Sequence, residues 1–104
     1  MSAAAQLQLS APAPGILAMS GALVFATAAR ALADARPAVL RGDVTTLDLS
    51  GIEASDSAGL AVLLALRRAA RSRGTELSIT SLPSTLRALA QLGEVEALLG
   101  VAAG

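Results

Sequence analysis

Histidine, cysteine, lysine, tryptophan and tyrosine are all missing from this chain of 104 residues, and phenylalanine occurs once, at Phe25. Each gap removes a class of chemistry. Without cysteine there is no disulfide, no thiol nucleophile and no thiolate-bound zinc. Without histidine the commonest general base and the commonest metal ligand go together. Neither a GxxxxGK[ST] phosphate loop nor a GxGxxG dinucleotide fingerprint occurs. Only lone carboxylates are left to do catalysis, so the sequence predicts a protein that is not an enzyme and uses no metal or cofactor.

An excess of either charge is also lacking. Eight acids balance eight bases, all of them arginine, so no net field draws the chain to nucleic acid. Long hydrophobic runs are absent as well. The longest, Gly59 to Leu66, is far short of the ~20 residues that cross a bilayer. The opening "MSAAAQLQLSAPAP" has no basic segment leading into a long apolar one, so no secretion signal is expected. The expected location is the cytoplasm, with no direct insertion into a membrane.

What remains is apolar: 54% of the residues are hydrophobic, with one aromatic among them. The core must be built from Leu, Val, Ile and Ala, and the length suits one domain over 1–104 with a core at about 7–99. "LQLS" reads as a short strand, "APAPG" as a turn in which Pro12 and Pro14 block a ladder, and "ILAMSG" as a second strand. Phe25, Ala28, Ala29 and Leu32 recur at helical spacing, and Pro37 predicts that this first helix stops by Arg36. "VTTLDLSG" is the candidate central strand, and a helix follows from Ser57 to Arg73 with Gly74 placed to end it. "ELSIT" is a strand. In "SLPSTLRALAQLG" Ser81 is the expected cap, Pro83 lies in the first turn, and Leu86, Leu89 and Ala90 form the stripe. "EVEALLGVAAG" reads as a short last helix or a frayed tail. The order β-β-α-β-α-β-α implies an α/β fold, a mixed sheet of four to five strands with helices packed against it.

The second helix carries the chemistry. On a wheel of 3.6 residues per turn, Val62, Leu66, Ala69 and Ala70 share one side, with Leu63 at its edge, and should face the sheet. Ser57, Leu60, Ala61, Leu64, Arg67, Arg68 and Arg71 fall on the other, a face that begins apolar and ends basic. Two readings stand side by side. Another helix, the C-terminal one, covers the leucines; or the face is a partner-binding patch with an arginine rim. The arginines, Arg73 included, suit a solvated helix surface as well as a rim.

Ser57 stands in "DSAGL" at the start of that helix. Ser55, Asp56 and Ser57 are each suited to cap it. A phosphate on Ser57 would meet the positive end of the helix but also the charge of Asp56, so the residue is a candidate phosphorylation site with the sign of the effect open. A nucleophilic role is disfavoured, because the GxSxG elbow and its base are both absent. Asp48, in the central strand, reads as a polar residue that is solvated or bonds a loop N–H.

The run "LDLSGIEASDSAGLAVLLALRRAARSRG", flanked by "GILAMSGAL" and "TELSITSLPSTLRALAQLG", resembles the STAS domain family over about Leu7 to Leu99. That family includes anti-sigma-factor antagonists and transporter-associated modules. Within it the chain is most similar to the small STAS subunit of the bacterial phospholipid-trafficking (Mla) ABC transporter. The resemblance implies a non-catalytic cytoplasmic subunit at the inner face of the inner membrane, which binds the ATPase subunit and supports the complex. It also implies that Ser57 lies at the partner contact. The alternative it offers is an anti-sigma-factor antagonist, whose partner is an anti-sigma factor kinase and whose Ser57 is phosphorylated.

Overall fold

In a computed structural model, which describes residues 5–93, the order is β1 (Leu7–Ala13), β2 (Gly15–Leu23), α1 (Phe25–Arg41), β3 (Val44–Ser55), α2 (Ser57–Ser72), β4 (Ser78–Thr80) and α3 (Ser84–Leu92). This is the α/β order expected from the hydrophobic pattern. The strands form one mixed four-stranded sheet in the order β1-β2-β3-β4. β1 and β2 pair antiparallel as a hairpin, while β2–β3 and β3–β4 pair in parallel. Each parallel pair needs a crossover, and α1 and α2 supply them.

The pairing puts Leu17, Leu47 and Ile79 in one row across three strands, all buried. The adjacent row, Ala18, Asp48 and Thr80, points the other way because side chains alternate along a strand, and none of its members is buried. The apolar row joins a single core with Ala31, Ala35 and Val39 of α1, Val62, Leu63, Leu66, Ala69 and Ala70 of α2, and Leu86 and Ala90 of α3. The sheet-facing side predicted for α2 is therefore correct, with Leu63 fully inside it.

Three local expectations are corrected. α1 does not stop by Arg36 but passes through Pro37 to Arg41, where Gly42 closes it in the left-handed conformation at φ 83°. Pro37 costs the helix its bond to Ala33, but both residues are exposed, so water can serve the freed carbonyl, and continuing buries Val39 one turn beyond Ala35. The buried stripe of α1 is Thr27, Ala31, Ala35 and Val39, and Phe25, expected on it, is 84% exposed. In so alanine-rich a helix nearly every face is apolar, so periodicity does not single one out. Finally, α3 starts at Ser84 with Pro83 at its cap position; Ser81 lies outside, in a left-handed turn at φ 57° that leads β4 into the buried Leu82.

The hairpin departs more mildly. β1 runs on through Pro12, with its register shifted between Ser10 and Ala13. A proline is tolerated there because β1 is an edge strand. The tail "EVEALLGVAAG" lies outside the described residues.

Candidate functional site

The parallel register of β2 and β3 brings Leu23 opposite Ser55 at their C-terminal ends. α1 and α2 leave from these two points, so their first turns lie side by side. Val24, at the cap position of α1, has no side-chain oxygen to offer the free N–H groups. Asp56 fills that gap from the other helix. Its Oδ1 accepts the N–H of Ala58 at 2.9 Å and that of Gly59 at 3.4 Å, capping α2, and its Oδ2 accepts the N–H of Phe25 at 3.0 Å. One carboxylate therefore caps two helices, and the cap is Asp56 rather than Ser55 or Ser57.

Gly59 lets the helices come so close. A Cβ on it would sit 2.6 Å from the carbonyl oxygen of Leu23 and 3.1 Å from that residue's Cγ. The "DSAGL" motif is thus explained by packing and capping except for its serine. Ser57 is exposed and not needed for the cap.

The rest of the predicted face is mostly where the wheel put it. Ser57, Ala61, Arg68 and Arg71 are exposed, and Leu60 and Leu64 are half-buried against the edge of the core. α3 packs on α2, and both leucines stay half-buried among the described residues. Leu64 and the arginines line a shallow groove of about 150 Å³. Arg67 is the correction. Only 6% exposed, it turns its Nη1 inward to the carbonyl of Leu77 at 2.6 Å, with Glu76 3.4 Å away. Its long stem lets a guanidinium that starts on the flank of α2 reach the strand end beside it. Arg73 is also occupied, donating to the carbonyl of Leu40 at 2.6 Å. Among the described residues Arg68 and Arg71 have no carboxylate within ion-pair distance.

Asp48 lies in the middle of β3, on the face of the sheet away from the core. Its Oδ1 accepts the N–H of Ser50 at 2.9 Å, where the register of β3 shifts against β2. That bond, with a second from the Ser50 side chain, holds its carboxyl below the ordinary 3.8. Among the described residues no three carboxylates gather as a metal site, and no helix is long and apolar enough to cross a membrane.

Phe25 and the double role of Asp56 were missed by sequence reasoning. The one available signal was Val24, a residue unable to cap the helix it precedes.

Comparison with known proteins agrees with the fold. The family model described as "Mlab, STAS domain" matches residues 7–100. No curated protein matches the chain. Among solved structures, an anti-sigma factor antagonist from Mycobacterium paratuberculosis is similar with a TM-score of 0.75 and 23% identity, over 100% of this chain and 92% of that one. The anti-sigma factor antagonist SpoIIAA in its unphosphorylated form has a TM-score of 0.65 and 21% identity, over 85% of this chain and 84% of that one. The Bacillus cell fate determinant SpoIIAA in its phosphorylated form gives 0.65 and 19%, over 94% and 92%. At these identities the likeness is one of fold.

Proposed function

The chain belongs to the STAS domain family, and from that premise we propose that it is a non-catalytic accessory subunit that binds the ATPase of a phospholipid-transporting ABC complex through the outer face of α2. The observation that carries this reading is the make-up of that face. Exposed Ser57 leads into half-buried Leu60 and Leu64, and then into Arg68 and Arg71, which have no carboxylate partners among the described residues. An apolar centre with a charged rim is the usual anatomy of a protein interface. The Mlab description of the matching family model supports the choice of a transporter partner. In that complex the chain would sit at the cytoplasmic face of the inner membrane, held there by its partner.

A second reading has its own support. Solved structures of this fold include anti-sigma factor antagonists, one of them phosphorylated, and Ser57 is open to a kinase. A phosphate there would add charge and bulk to an apolar contact and weaken it.

Affinity capture of the tagged full chain from its own cells, with mass spectrometry of its partners and of Ser57, tests both. Recovery of an ABC ATPase and its permease with unmodified Ser57 is the expected result. Recovery of a serine kinase with phosphate on Ser57 would replace the first reading by the second.

A further inference from the structure

α1 and α2 run side by side from the same end of the parallel sheet and share one polarity. Along α2 the outer face passes from Ser57 through Leu60 and Leu64 to Arg68 and Arg71. Along α1 the outward positions Phe25, Ala29, Leu32 and Arg36 repeat that progression, apolar first and basic last. The two faces are continuous, since Leu32 and Arg36 of α1 line a groove of about 320 Å³ together with Ala65, Arg68, Ala69 and Ser72 of α2. At the apolar start of the α1 row stands Phe25, the chain's one aromatic, 84% exposed and with its backbone N–H fixed by Asp56.

We propose that the docking surface spans both helices, with Phe25 as its aromatic anchor and Arg36 as part of its charged end. This deepens the transporter reading and rests on it. Large aromatics that are exposed in the free protein and desolvated on binding are typical hot spots. Phe25 stays exposed although an apolar core lies beneath the same helix, and its backbone N–H is held by Asp56 at the start of α1, so little backbone order is left to impose on binding. The occupant is the ATPase of the proposed complex, and charge complementarity says what its surface must present. Arg36 and Arg68 line the same groove, and among the described residues neither has a carboxylate within ion-pair distance. The matching surface on the ATPase therefore offers an apolar concavity over Phe25 and carboxylates opposite Arg36 and Arg68.

The test is calorimetric titration of the purified ATPase subunit with the full chain, its Phe25→Ala variant and its Arg36→Glu variant, each checked for an unchanged melting temperature. The expected result is binding by the unaltered chain, weakened about 30-fold by Phe25→Ala and about tenfold by Arg36→Glu. If both variants bind within twofold of the unaltered chain while Leu64→Asp abolishes binding, α1 has no part in docking and the inference fails alone. If the unaltered chain does not bind the ATPase, the transporter reading fails and this inference goes with it.

Discussion

The carboxylate of Asp56 accepts the backbone N–H of Phe25 at 3.0 Å, across 31 residues of sequence, while capping its own helix through Ala58 and Gly59. The starts of α1 and α2 are thereby tied to one side chain. Asp56→Ala should remove both caps and cost about 1–3 kcal/mol of stability. Asp56→Ser keeps a good cap for α2 but is too short to serve both helices. Denaturant unfolding should rank the parent above Asp56→Ser and Asp56→Ser above Asp56→Ala, and amide hydrogen exchange at Phe25 should quicken in both variants. Unaltered exchange at Phe25 would show that the bond does not hold α1.

Gly59→Ala pits propensity against packing. Alanine gains up to about 1 kcal/mol over glycine inside a helix. Its Cβ, however, would lie 2.6 Å from the Leu23 carbonyl oxygen, a backbone atom that cannot swing aside. Overlap of this kind costs about 1–3 kcal/mol, so a net loss of stability is expected in urea unfolding. A variant more stable than the parent would mean that α2 shifts away from β2 freely.

Neighbouring arginines should separate stability from binding. Arg67→Met keeps the apolar stem and removes the donor to the buried Leu77 carbonyl, so about 1–3 kcal/mol of stability should go while partner affinity holds. Arg68→Ala should do the reverse. Measuring both variants by unfolding and by titration against the partner exposes any exchange of roles.

Leu64 and Val62 make a similar pair on the same helix. Val62 is 4% exposed, and Leu64 is half-buried at the edge of the core. Val62→Asp should leave the chain unfolded by circular dichroism, because it strands a charge in the core. Leu64→Asp should cost about 1 kcal/mol yet abolish docking. Collapse of the Leu64→Asp variant would place that leucine inside the core.

Asp48 predicts a small acid-limb effect. Its folded pKa is lowered from 3.8 by the hydrogen bonds from Ser50, so the unfolded chain takes up the proton first. The contribution to stability is then full above the unfolded value and fades as pH falls through the folded one. The stability gap between the parent and Asp48→Asn should be constant above about pH 5 and shrink in stronger acid. Urea unfolding across that range checks it, and a gap that does not change with pH would show that Ser50 does not favour the ionised carboxylate.

The order of elements, the buried side of α2 and the start of that helix were legible in the sequence, because each is a local matter, although three residues there were equally suited to cap it and the structure chose Asp56. Alternation marks a strand, a repeat near 3.6 marks a helix, and a cluster of Ser and Asp before an apolar helix marks its start. The sequence also determined that a serine stands exposed at that start with leucines and arginines behind it. Only the tertiary structure decided the rest. Which face of α1 is buried depends on what the sheet presents to it, since an alanine-rich helix has little contrast of its own, and so Phe25 came to the surface. Whether α1 passes Pro37 depends on the core contact that Val39 makes beyond it. Arg67 is drawn inward by a carbonyl ten residues away. Asp56 meets Phe25 because parallel pairing sets Leu23 opposite Ser55, a register that no local spacing records.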